Sequence, residues 1–392
     1  MSEARTTAVR ARRDILWAVL FLVIFINGFE SGGYQASLWS IGQDYDLSTT
    51  SMGLFAAVEL LADMLAPLLL GAWVDRAGKA KSMKIVLVLQ LVAAGLVLFT
   101  RTSELFVASM FLLGLTTSTM QFTAIATLAD AYPRSGKRKI GYITSMYAFG
   151  AVVAPLAVSY YLNLGFGWRA LFVILAVGTV IALAGVGRAG DAPREAADDS
   201  GEQRSTGRFI LGGILLLCVI MCIYVGFENG FAFFVDTLFT DTFNASTGKI
   251  ALSLYWAVMI PSRVLVGRFS HHAKTILVAS IIAIPCVTGA IALSTSSWMV
   301  MLLVVPLGLA SGAIYPSVLT MMLPFAGKRT ATATGMITAA TGIGGFLFTA
   351  LTGFMADQWG MQAAMAVLSS FFIISLLAAL AVIKASKGTK SE

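Results

Sequence analysis

Asn27-Gly28-Phe29-Glu30-Ser31-Gly32 and Val225-Gly226-Phe227-Glu228-Asn229-Gly230 stand 198 residues apart in a chain of 392. Each sets one carboxylate among glycines inside a long apolar run. The same spacing separates Ser48-Thr49 from Ser246-Thr247. Gly141 and Gly150 precede Gly335 and Gly344 by 194 residues, and Gly167 and Ala170 precede Gly360 and Ala363 by 193. Four matches in order, drifting by a few residues, describe two parallel halves separated by small insertions and deletions. Two like-oriented halves related by an axis along the membrane normal are an architecture of transporters, whose halves rock about a site held between them.

The surroundings of these stretches call for lipid. The chain is 58% hydrophobic and 12% charged, with a mean hydropathy of +0.84, whereas soluble domains carry about 25% charged residues. A helix needs about 20 residues to cross the hydrocarbon core. That length fits twelve runs, near 15–38, 50–72, 83–100, 104–128, 140–163, 168–187, 209–236, 249–268, 274–294, 297–323, 332–355 and 361–383. The reading is an all-α membrane protein of twelve transmembrane helices in two pseudo-symmetric six-helix bundles, residues 1–187 and 209–392. The polar stretch 188–208 reads as a cytoplasmic linker. The first run is longer than a signal h-region and carries Asn27 and Glu30, so it reads as a span and not a cleaved leader.

A net charge of +7 suggests nucleic acid only until its distribution is read. Alternate inter-span segments hold 23 of the 27 Lys and Arg residues. Arg101, Arg169 and Lys249 lie on the other face, and Arg263 lies within a span. This asymmetry places both termini in the cytoplasm of a cell-membrane protein with no nucleic-acid partner. Cys218, Cys222 and Cys286 lie in apolar runs, without disulfide or metal spacing.

Between spans 2 and 3 stands Gly71-Ala72-Trp73-Val74-Asp75-Arg76-Ala77-Gly78-Lys79. Gly71 suits close helix approach and Gly78 a tight turn, and Asp75, Arg76 and Lys79 can form a charge network that latches one conformation. The stretch resembles the G-x-x-x-D-R/K-x-G-R/K loop signature of the major facilitator superfamily, at the family's own position. The resemblance implies its twelve-span fold and secondary transport, with no cofactor. In the second half His271 stands where the Asp would be, so the latch is asymmetric. Gly167-Trp168-Arg169 resembles the family's G-W-R start of span 6. In span 5, Gly141, Gly150 and Pro155 resemble the motif of drug–proton antiporters, but Ala154 replaces one of its glycines and Val158 and Ser159 its final glycine pair. Met110 occupies the place of those antiporters' span-4 Arg. Tyr224-Val225-Gly226-x-Glu228 resembles the start of span 7 in sugar–proton symporters.

A carboxylate inside a bilayer costs about 2.5–3.5 kcal/mol and is a functional candidate by default. Glu30 and Glu228 hold matching positions. Glu59 and Asp63, four apart, share a helix face. Two carboxyls in one dry pocket resist double ionisation, and coupling to a proton gradient needs a carboxyl that holds and releases a proton. These four are the candidate proton-coupling or substrate-binding residues. Asn27, Tyr34, Gln121, Tyr147, Tyr224, Asn229, Trp256 and Tyr315 are candidate cavity residues. Arg263 reads as snorkelling or pairing locally. Four acids against one base favour a proton and a cationic or neutral solute over an anion. No P-loop, H-E-x-x-H or metal cluster supports an enzyme. The pseudo-repeat fits a monomeric carrier better than a channel. Proton-linked efflux by antiport is favoured, on the span-5 glycines and the acidic interior, with proton-linked uptake of a sugar or other small metabolite as the alternative.

Overall fold

The computed structural model describes residues 2–131, 136–189, 209–327 and 330–388. Most of the 188–208 linker lies outside them. In lipid each backbone N–H and C=O must find its partner within its own segment, and helices achieve this. Thirteen α-helices form among the described residues, with no strand: α1 Ser2–Asp44, α2 Thr49–Ala77, α3 Lys79–Phe99, α4 Ser103–Ala131, α5 Gly136–Asn163, α6 Ala170–Ala189, α7 Leu211–Thr237, α8 Gly248–Arg268, α9 Ala273–Ala292, α10 Ser297–Ala326, α11 Thr330–Trp359, α12 Met361–Ser370 and α13 Phe372–Gly388. They supply twelve helices long and apolar enough to cross a membrane, the last running through α12 and α13. The first span ends at Asp44, six residues past its expected end. The seventh reaches Thr242, also six residues further, because a π-helical turn, Leu238–Thr242, continues α7.

The chain divides into two compact units, Met1–Ser37 with Val58–Ser200, and Gly201–Glu392 with the corner Leu38–Ala57. The repeat is visible in the backbone. Asp46 and Asn244, 198 residues apart, both adopt φ 50° where α1 turns into α2 and α7 into α8. Asp and Asn are the non-glycine residues that best tolerate this left-handed region. Gly165 (φ 83°) and Gly360 (φ 82°) make the corresponding turns before α6 and α12.

The paired glycines Gly150 and Gly344 do the same work in each unit. A Cβ on Gly150 would stand 2.3 Å from the Phe25 carbonyl oxygen of α1, and one on Gly344 1.9 Å from the Cys222 carbonyl oxygen of α7. Each is a crossing where two helix backbones touch, which only a residue without Cβ allows.

The corner that joins the second unit is held by Asp357 at the end of α11. Its carboxylate accepts the backbone N–H of Thr49 at 2.9 Å and of Thr50 at 2.8 Å, and also the Thr50 hydroxyl. Gly353 makes room, since its Cβ would lie 2.4 Å from the Thr49 carbonyl oxygen. Asp357 therefore caps α2 from another helix. Asp357→Ala is expected to cost about 1 kcal/mol, as loss of an N-cap does, measured by thermal unfolding in detergent. An unchanged melting point would mean that water serves the two N–H groups as well.

Candidate functional site

In the first unit α1 and α2 bring three carboxyls together. Glu30 and Glu59 are buried, 1% and 3% exposed, and their carboxyls lie within hydrogen-bonding reach of each other, with Asp63 close enough to act on both electrostatically. Glu30 Oε1, Glu59 Oε2 and Asp63 Oδ1 are buried without a hydrogen-bond partner. No Lys or Arg faces the cluster among the described residues, and no group of three or more His, Cys, Asp or Glu is placed there to hold a metal ion. The face shared by Glu59 and Asp63 is as expected from their spacing. The addition of Glu30 across helices is new.

The cluster is positioned by close packing. Gly114 of α4 lets the α2 backbone approach, since its Cβ would meet the Glu59 carbonyl oxygen at 2.9 Å. Ser118 donates to the Asp63 carbonyl oxygen at 3.0 Å, and Asn27 Nδ2 donates to the Thr117 carbonyl oxygen at 2.8 Å. Asn27 thus spends a donor on helix packing. Tyr34 is fully buried. Gln121 and Tyr147 are half-buried, and Tyr147 hydrogen-bonds with Ser31, one residue from Glu30.

The second unit builds a different station at the matching Glu. Glu228 stands near the middle of the Leu211–Thr242 span. It accepts the Tyr224 hydroxyl at 3.0 Å through Oε1, and the same oxygen lies 3.6 Å from Arg263 Nη2 of α8. Arg263, read from the sequence as snorkelling or pairing locally, thus pairs with Glu228. It is set by the α8–α10 crossing, where a Cβ on Gly312 would stand 2.7 Å from the Met259 carbonyl oxygen and Ser262 donates to the Leu309 carbonyl oxygen at 2.6 Å. Asn229 donates to its own helix at Val225 (2.9 Å). Trp256 stacks edge-on against Tyr255, with ring centroids 5.8 Å apart, and Tyr315 is half-buried on α10. A second acid of α7, Asp236, is buried and bound to Lys249 at 2.5 Å.

The family model of the Major Facilitator Superfamily matches residues 20–322. The chain belongs to the major facilitator superfamily. It is a multi-pass membrane transporter and not an enzyme. Among curated relatives, the Glucose/mannose transporter GlcP of Bacillus subtilis (strain 168) is 20% identical over 339 residues, 79% of each chain. The Probable metabolite transport protein CsbC of the same organism is 23% identical over 169 residues, 43% of this chain and 37% of that one. Two solved structures share the fold. A bacterial homolog to human lysosomal transporter Spinster, inward-facing and unoccupied, has a TM-score of 0.79 at 15% identity, covering 95% of this chain and 98% of its own. A D-xylose-proton symporter has 0.77 at 15% identity, covering 94% and 96%.

The superfamily's loop signature is only partly engaged. Gly78 adopts φ 86°, the turn that needs glycine. Lys79 donates to the Ala126 carbonyl oxygen of α4 at 3.2 Å, and Arg76 is exposed. Gly71 does not serve helix approach: among the described residues, a Cβ there would meet nothing within 4 Å. The side chain of Asp75 lies outside the described residues, as do the side-chain surroundings of Gly141. Pro155 lies buried within α5, and Met110 is fully buried.

Proposed function

We propose that the chain is a proton-coupled secondary transporter that moves a small organic solute by alternating access. Glu30, Glu59 and Asp63 form the group that carries the proton. The observation behind this is the meeting of three buried carboxyls without a cation. An ionised carboxylate can only accept hydrogen bonds, so two carboxyls that bond to each other share a proton. Two negative charges at that distance in a medium of low dielectric repel strongly. Such a cluster holds a proton when closed off and loses it when water reaches its spare oxygens. The basic face of the helices supports both termini in the cytoplasm, in the cell membrane, with a monomer as the working unit.

Two coupling modes fit a proton-carrying cluster. Antiport drew support from the span-5 glycines, but Gly150 already has a packing role against α1. Likeness to a glucose/mannose transporter fits a sugar as the solute, the substrate class of the second mode, uptake by symport, which we carry forward. Proteoliposomes with a luminal pH dye test both. An inward gradient of a transported sugar or small metabolite acidifies the lumen under symport and alkalinises it under antiport. Transport with no luminal pH change would remove proton coupling from this chain.

A further inference from the structure

The second unit holds two acid–base pairs that differ in kind. Asp236 and Lys249 meet at 2.5 Å, with side chains 1% and 11% exposed. That pair is closed and ties α7 to the start of α8. Glu228 and Arg263 meet at 3.6 Å, through one oxygen that also takes the Tyr224 hydroxyl, and 42% of the Arg263 side chain remains exposed. A guanidinium bound by a carboxylate in its preferred geometry makes two parallel bonds at about 2.7–2.9 Å. Arg263 makes no such two-bond pair among the described residues: its contacts are one Glu228 oxygen and the Tyr224 side chain, which leaves the fork of five donors free to take a carboxylate. Arg263 lies in the last turn of the Gly248–Val266 span; a charge within a span is costly, and a loosely paired one is a candidate for ligand binding.

Resting on the reading of this chain as a proton-coupled transporter, we infer that Arg263 is the binding site for the carboxylate of an organic anion, which displaces Glu228 from the guanidinium. The arginine fork matches a carboxylate in shape, and the hydroxyls of Tyr224, Tyr255 and Tyr315 on α7, α8 and α10 surround the pair. Charge is conserved through the exchange. Empty, the station holds Arg⁺ and Glu⁻. Loaded, it holds Arg⁺, the solute anion and Glu228 protonated from water on the loading side. A buried carboxylate stripped of its cation takes up a proton rather than remain charged. Both states are neutral, so each anion bound is matched by one proton taken up at Glu228, beside the proton assigned to the Glu30–Glu59–Asp63 cluster. The sequence set anions aside on four acids against one base. The meeting of Arg263 with Glu228, which stands near the middle of its own span, brings that base to a carboxylate it can give up.

The test uses purified full-length protein and a charge-matched panel: glucose, glucosamine, glucuronate, gluconate and lactate. Thermal stabilisation is read with proton uptake from a weakly buffered dye. At least one carboxylate is expected to stabilise the wild type and to take up about one proton on binding. Arg263→Gln should weaken that carboxylate at least ten-fold, and Arg263→Lys should fall between. Because Arg263→Gln leaves Glu228 unpaired and could misfold, the double variant Arg263→Gln/Glu228→Gln, which is neutral, repeats the measurement. Glu228→Gln should bind the carboxylate with no proton uptake. Stabilisation only by glucose or glucosamine, by nothing in the panel, or equally in the double variant overturns the proposal. So does proton uptake unchanged in Glu228→Gln. The broader reading fails separately: a carboxylate that binds at Arg263 but drives no luminal pH change leaves the anion site standing without the coupling. A neutral sugar that drives one does the reverse.

Discussion

Glu59→Gln is expected to lower proton-driven accumulation about 100-fold at a gradient of two pH units while leaving solute exchange intact. Such a gradient is worth about 2.7 kcal/mol per proton. Each proton carried with the solute therefore supports accumulation of about 100-fold. A carrier whose cluster no longer binds its proton can still move its solute, so the ratio should lose the factor that this proton supplies. Gln is the informative substitution because it keeps the volume of the side chain and can donate its amide N–H to Glu30, preserving the contact between the two residues. Folding should survive, since no buried cation is orphaned. Glu30→Gln and Asp63→Asn should act in the same direction, Asp63→Asn more weakly because Ser118 bonds the Asp63 backbone and not its carboxyl. The measurement is accumulation against counterflow in the same vesicles, with whichever solute the luminal pH assay selects. Accumulation undiminished from the wild type in all three variants would take the proton away from this cluster.

The sequence made some of this architecture legible and hid the rest for physical reasons. Span number and repeat follow from the local rule that lipid imposes on every backbone group, so they can be read along the chain. Glu59 and Asp63 share a face by helix geometry, also a local fact. The meeting of Glu30 with Glu59, and of Arg263 with Glu228, depends on which faces of different helices touch. That depends in turn on glycines such as Gly114 and Gly312, whose partners no single sequence names. Gly71 shows the converse: a glycine in a family motif suggested a contact, and its surroundings are open. Asp357 passed unnoticed because an acid at a span end is common, and the two N–H groups it serves lie more than 300 residues away. The left-handed pair Asp46 and Asn244 was within reach, since both follow the aligned offset and both residue types favour that backbone.

Gly344→Ala should destabilise the protein by at least about 3 kcal/mol, at or beyond the upper end of ordinary overpacking. The added methyl would sit 1.9 Å from the Cys222 carbonyl oxygen and 2.6 Å from its carbonyl carbon. Those atoms belong to the α7 backbone, whose hydrogen bonds fix them, so no rotamer change relieves the clash and the two helices must part. Their contact is the most extensive in the second unit, and parting them also moves Tyr224 and Glu228, which lie on the next turns of α7. Gly150→Ala tests the equivalent contact of the first unit, with its Cβ 2.3 Å from the Phe25 carbonyl oxygen. Gly335→Ala and Gly289→Ala are the controls. Both positions are helical and open to 4 Å, so the methyl clashes with nothing and helix propensity favours Ala by up to about 1 kcal/mol. Thermal unfolding in detergent, with the monodisperse fraction recovered, separates the two classes. If Gly344→Ala melts with the controls, the α7–α11 crossing is not a backbone contact, and the rigid frame that holds Glu228 against Arg263 has to be sought in the α8–α10 crossing alone.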